Sequence, residues 1–188
     1  MLRHSLAGLL VLLAMTVGLG LVYPLVMTGV GQVAFHSQAN GSMVSYQGRA
    51  VGSSLIGQEF TGAQWFQPRP SAASYDALAS GGTNLGPNNP DLVTAVRKAR
   101  AAIAARDGVS PAQIPADAVT SSGSGLDPHI SPAYADLQVA RVARARGMSI
   151  ADVQQLVDEH TQGRILGFLG EPRVNVLELN LALAQAGE

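Results

Sequence analysis

The sequence predicts an α/β fold of the α+β kind. One N-terminal transmembrane helix is followed by a small mixed extracytoplasmic domain with several helices and a few short strands. Three observations carry this expectation. An uninterrupted apolar run fills residues 6–28, four later segments carry helix start signals, three of them with a stop signal, and the stretch after Asn40-Gly41 alternates loosely in the manner of strands.

The apolar run comes first. Between Arg3 and Arg49 no side chain carries a fixed charge, and His4 and His36 are the only ones that can gain a positive charge. A charged residue at a helix centre costs about 2.5–3.5 kcal/mol on insertion scales, so a charge-free stretch of this length is informative. Leu6 to Met27 is 22 residues. At about 1.5 Å per residue that is about 33 Å of helix, matching a hydrocarbon core of about 30 Å. The run exceeds a typical signal-peptide core and no small-residue cleavage site follows it. Tyr23 and Pro24 read as lying near its far end, and Gly8, Gly18, Gly20, Gly29 and Gly31 would let another helix approach closely. Arg3 and the N-terminal amine are the only positive charges before Arg49. The positive-inside bias therefore leaves residues 1–5 in the cytoplasm, spans at 6–28, and puts 29–188 outside.

The external part is punctuated in order. Gln47-Gly48 reads as the turn of a small β-hairpin. Residues 65–90, rich in Pro, Gly, Ser and Asn, read as a long, ordered surface loop. Asn89-Pro90 starts a helix that stops at Asp107-Gly108, with Val93, Val96, Ala99 and Ile103 as its apolar stripe. Ser131-Pro132 repeats the start signal, and Gly147 stops that helix. Ser149 with Asp152 opens a third helix expected to reach Gly163, and Asn175 with Glu178 opens the last. RILGFLG, between them, reads as a short strand or a last helical turn.

Composition narrows the chemistry. Net charge is −1, which gives no basic field for nucleic acid. There is no Cys, so disulfides and thiolate metal sites are excluded. Lys98, the sole Lys, follows no glycine-rich loop, so there is no Walker A motif. TSSGSGLDPHIS, residues 120–131, admits several readings. It is an ordered turn before a helix, a backbone anion cradle at SSGSG, a two-ligand metal site at Asp127 and His129, or a hydrolase site using Ser124 and His129. Arg141, Arg144 and Arg146 read as a basic helix face, either solvated or docking an acidic partner.

Several stretches in series carry a resemblance. They are LVYPLVMTGVGQVAF, QANGSMV, GSSLIGQEFTGAQWFQPRPSA, ASGGTNLGPNNP, DAVTSSGSGLDPHIS, RVARARGMS and GEPRVNVLELNLALA. Together they resemble the KdpC family, the C subunit of the bacterial high-affinity potassium-transporting P-type ATPase. The resemblance implies a non-catalytic accessory subunit in the cell inner membrane, needed for assembly and covering the potassium entrance. A potassium-conducting subunit and an ATP-hydrolysing subunit would be its partners, and these would handle potassium and ATP, leaving no cofactor, metal or catalytic residue to this chain. Two other roles stand beside it: a chaperone raising the ATP affinity of the hydrolytic subunit, and a membrane-anchored envelope enzyme. LASGGTN, Leu78 to Asn84, resembles the signature motif of ABC transporters, with Thr83 where that motif has Gln. The resemblance assigns partner binding to Ser80, Gly81, Gly82 and Asn84 in one loop. In the other it assigns Ser122, Gly123, Ser124, Gly125, Asp127 and His129.

Overall fold

A computed structural model describes residues 2–187 as two compact units, one ending at Met43 and the other beginning at Val44. It is a mixed α and β chain with one N-terminal apolar helix.

That helix runs Leu2–Ala34, 33 residues with none buried, which at about 1.5 Å per residue is about 50 Å. It is longer than the 6–28 run, because nothing in Thr28–Ala34 breaks a helix once apolarity fades. It consists of α1 (Leu2–Val17), a π-helical turn (Gly18–Val22) and α2 (Tyr23–Ala34). Pro24 explains the turn: its nitrogen has no hydrogen to give Gly20, and the Tyr23 N–H reaches back five residues to the Gly18 carbonyl. Tyr23 and Pro24, near the end of the 6–28 run, thus lie inside the longer helix. Phe35 leaves helical geometry, and the short α3 (His36–Ala39) ends at Asn40, whose side-chain amide donates to the His36 carbonyl at 2.7 Å.

Strands β1 (Met43–Tyr46) and β2 (Arg49–Ser53) pair across Gln47-Gly48. Both turn residues have positive φ, 49° and 77°, as a two-residue type I′ hairpin requires. Residues 54–89 contain no helix or strand.

Four helices follow. In α4 (Pro90–Asp107) the Asn89 side chain accepts from the Asp91 N–H, and Gly108 closes the helix in the left-handed region at φ 69°. Helix α5 (Pro132–Arg146) opens on Ser131, which accepts from Tyr134, and closes on Gly147 at φ 67°. Helix α6 (Ile150–Glu159) opens on Ser149 and α7 (Val176–Ala186) on Asn175, whose oxygen takes the N–H groups of Leu177 and Glu178. Strands β3 (His129–Ile130), β4 (Thr161–Gln162) and β5 (Arg173–Asn175) form one antiparallel sheet with β5 central.

The core gathers around α5. Ala135, Val139 and Val142 pack with Val153 and Val157 of α6, Leu179 and Leu183 of α7, Val174 of β5, and Ile103 of α4. Tyr134 and Phe66 are the two largest fully buried side chains. At about 25 cal/mol per Å² of apolar surface, burying each contributes of the order of 2–3 kcal/mol.

Several expectations are corrected. The third helix ends at Glu159 and not at Gly163, because the β-branched Thr161 pairs with Val174 of β5. RILGFLG is neither strand nor helix turn. It is a tight reversal closed by one bridge between Ile165 and Leu169, with Leu166 and Gly167 at φ 54° and 81°. Val93 is exposed, so the stripe of α4 narrows to Val96, Ala99 and Ile103. The loop after Trp65 is not wholly at the surface, since Phe66 is buried in the core. Two 3₁₀ turns, Pro111–Gln113 and Ala116–Ala118, and strand β3 had no sequence signal of their own in this reading.

Candidate functional site

The region begins with a segment that has no secondary structure to hold it. The carbonyls of Ala63 to Gln67 all accept from side chains. Arg141 Nη1 reaches Ala63 and Trp65, Arg146 Nε reaches Gln64 at 2.9 Å, Asn180 Nδ2 reaches Phe66 at 2.9 Å, and Gln138 Nε2 reaches Gln67 at 3.1 Å. The same two amides accept in return: Asn180 Oδ1 from the Phe66 N–H and Gln138 Oε1 from the Gln67 N–H. Each amide thus copies a neighbouring peptide group, satisfying backbone that would otherwise be buried and orphaned. Arg146 also lies over the Trp65 ring, 4.2 Å from its centroid.

The expected basic face is corrected by this arrangement. Arg141 is buried, and its Nε pairs with Asp107, whose side chain is wholly inaccessible and also takes Arg106 at 2.6 Å. Arg144 alone of the three is exposed. An arginine at the i, i+4, i+7 positions of an apolar stripe (Tyr134, Gln138, Arg141) was the available signal, as was Asn180 between Val176 and Leu183.

Held in this way, residues 69–82 are laid against residues 120–129. Gly81 N–H donates to the Ser124 carbonyl at 2.8 Å, and Ser80 Oγ to the same oxygen at 3.2 Å. Ser71 Oγ donates to the Gly125 carbonyl and accepts from the N–H groups of Ala73 and Tyr75. Ser122 and Ser124 accept from the N–H groups of Gly125 and Leu126. Gly125, at φ 69°, has no room for a Cβ, which would stand 2.8 Å from the Gly81 carbonyl. The left-handed glycine of this turn is therefore Gly125, whereas a Cβ added at Gly123 would meet nothing. Gly82 faces Gly123 closely. Asn84, in the left-handed region and exposed, stands outside this cluster.

Asp127 and His129 form the second part. Asp127 Oδ2 pairs with Arg69 Nη1 at 2.9 Å, and Oδ1 accepts from the His129 N–H at 3.0 Å, with the His129 ring nitrogen Nδ1 3.3 Å away. Burial alone would raise the Asp127 carboxyl. The hydrogen bonds of His129 and the charge of Arg69 outweigh it and hold the group below the ordinary carboxylate range. Tyr75, whose hydroxyl donates to the Arg69 carbonyl, is pushed up to about 12 by burial, then by Tyr134 and Glu59, and stays a donor. Among the described residues no group of three or more His, Asp or Glu could hold a metal ion. Arg69, Ser71 and Tyr75 escaped the sequence reading, since nothing in a Pro-rich loop marks which side chains turn inward. Beside Asp127 a cleft of about 490 Å³ opens between β3 and the start of β5.

The two loops quoted in the sequence are therefore one structure, and the apolar helix is a second. Known proteins are similar in sequence across both. The family described as KdpC, K+-transporting ATPase c chain, matches residues 5–185, from that helix to the last. The chain belongs to the KdpC family. A Kineococcus radiotolerans protein named potassium-transporting ATPase KdpC subunit is 60% identical over 188 residues, covering 99% of this chain and 95% of that protein. KdpC subunits of Koribacter versatilis and Sorangium cellulosum are 55% and 54% identical, over 96% and 97% of this chain and 94% and 98% of their own lengths.

Proposed function

We propose that this chain is the single-span accessory subunit of an ATP-driven potassium uptake complex. Its N-terminus is cytoplasmic, and the domain after the apolar helix is extracytoplasmic. It holds the complex together and covers the potassium entrance of the conducting subunit, while partner subunits handle ATP and potassium. The observation that carries this is the family match over residues 5–185, which includes both the helix and the domain. The charge flanks support the orientation: Arg3 precedes the apolar run 6–28, and no Lys or Arg follows that run until Arg49.

A nucleotide-contacting role for LASGGTN is less well supported. Its Gly81 N–H is spent on the Ser124 carbonyl, and phosphate cradles need such groups free. A domain outside the membrane would also meet no cytoplasmic ATP.

The chain has no Cys, so a single Ser124→Cys reports topology directly. Ser124 is exposed within its domain. Labelling of intact cells by a membrane-impermeant thiol reagent is the expected result. Labelling only after the cytoplasm is opened would reverse the orientation and return the nucleotide role.

A further inference from the structure

The C-terminal ends of α4 and α5 and the segment after Gly62 border a groove of about 500 Å³. Arg106, Arg141 and Arg144 line it, and its other walls, Gly62, Ala63, Gln67 and Ala145, bring no carboxylate. The carboxylate beneath them is Asp107, wholly inaccessible and already spent. Its Oδ1 takes Arg141 Nε, and its Oδ2 takes Arg106 Nε and Nη2. Three guanidinium groups against one carboxylate leave an excess of two positive charges. The crowding is felt inside the domain. Burial outweighs the hydrogen bond and charge of Asp107 and, with the charge of Arg106, holds the Arg141 guanidinium below its ordinary value. Arg144 stands three residues after Arg141 on the same helix face, where like charges repel. Its side chain is exposed and makes no hydrogen bond or ion pair among the described residues. Nor does it cap its helix, since the Gly147 and Met148 N–H groups take the carbonyls of Ala143 and Arg144. The Arg106 side chain is 33% exposed, and its bonds to Asp107 and Tyr134 use Nε and Nη2, leaving Nη1 to donate.

We propose that this groove docks an acidic segment of a partner subunit, whose carboxylates pair with Arg144 and Arg106. Arg141, itself buried, adds field and not contact. This rests on the reading of the chain as a transporter subunit and names the chemistry by which one of its surfaces meets a partner. Charge complementarity commits the groove to an anion, because the excess positive charge has no counterpart among its walls. Asp107 does not oppose an incoming carboxylate, since its oxygens are buried and bonded to the arginines. The walls favour protein over lipid. Surfaces that seat on a membrane bring large apolar or aromatic side chains or longer basic clusters, whereas these walls add only Gly, Ala and Gln to the arginines. Such small residues leave room for a polypeptide to lie between Arg106 and Arg144, and Arg is the charged residue that protein interfaces favour.

Lys98 is the sole Lys of the chain, so Arg144→Lys puts one new amine in the groove and keeps its charge. The test treats the full chain, expressed with its partner subunits, with a water-soluble carbodiimide, which joins an amine to a carboxylate in contact with it. The expected result is an amide bond from position 144 to an Asp or Glu of another protein of the complex. Arg144→Glu should release the chain from the complex at lower salt and weaken its association about tenfold, the effect of losing one charge-assisted hydrogen bond. The Arg144 side chain holds nothing in its own domain, so both variants fold. Amide bonds from position 144 only within the chain, or only to a lipid, overturn the inference. So does the lack of any such product in a complex that still co-purifies, or an unchanged association in Arg144→Glu. Each of these leaves the subunit reading standing. An unsubstituted chain that co-purifies with nothing overturns both readings.

Discussion

The N-terminal helix and the segment Ala63–Gln67 solve one problem in opposite ways. Both must satisfy backbone N–H and C=O groups away from water. The helix does so locally, each group meeting a partner four or five residues along, and it buries no side chain in the chain itself. The segment Ala63–Gln67 has one weak local partner, the Gln67 side-chain amide on the Trp65 carbonyl at 3.4 Å. Its carbonyls are taken by Arg141, Gln138, Arg146 and Asn180, which lie more than seventy residues away on α5 and α7. A regular element carries its own hydrogen bonds, whereas an irregular one borrows them. Substitutions should therefore be forgiven in the first region and costly in the side chains that serve the second.

The sharpest way to break that contrast is Arg141→Met. It frees the carbonyls of Ala63 and Trp65 and leaves Asp107, wholly inaccessible, with Arg106 alone. Breaking a buried pair by removing one partner costs about 3–5 kcal/mol, which urea unfolding of the purified chain would read. Asn180→Leu comes next. It orphans the Phe66 N–H and C=O at once, for about 2–4 kcal/mol, and amide exchange at Phe66 should accelerate accordingly.

Gly125→Ala tests the contact between the two loops. A Cβ there meets the Gly81 carbonyl at 2.8 Å with φ at 69°, so a loss of about 1–3 kcal/mol is expected. Gly123→Ala, where a Cβ meets nothing, should be close to neutral. Equal effects from the two would mean the loops do not touch as described. In the helix, Pro24→Ala should restore an ordinary turn and change stability by less than about 1 kcal/mol, checked by the same unfolding measurement.

The smallest effect is one of pH. The Asp127 carboxyl is depressed in the folded chain, so its contribution is complete above its unfolded value of about 3.9. It is lost as pH falls through the lower folded value. Asp127→Asn should remove that acid-range slope and leave stability near pH 7 dependent on pH as before. An unchanged slope would show that the Arg69 and His129 contacts do not favour the ionised form.

The sequence was most legible where partners are local. Asn89, Ser131, Ser149 and Asn175 cap the helices they were expected to cap, and Gly108 and Gly147 end two of them in the left-handed region. Gln47-Gly48 turns the expected hairpin. The candidate site was half legible. Glycine and serine runs at 80–82 and 122–125 announced a loop and a turn, but not that Gly81 would bond to Ser124 or that Gly125 was the constrained position. Arg141 looked like a solvated charge because helix periodicity assigns it a face without saying what lies opposite.

By itself, then, the sequence determined the apolar helix, the starts of the four later helices, the hairpin and the family, since each depends on residues a few positions apart or on motifs in series. Only the tertiary structure decided that Phe66 enters the core, that Asn180 and Gln138 act as surrogate peptide groups, and that RILGFLG closes into a tight reversal. The physical reason is range. A cap or an apolar run is stabilised by neighbours along the chain. A loop is fixed by whichever distant side chains reach its carbonyls, and their arrival depends on how α5 and α7 pack.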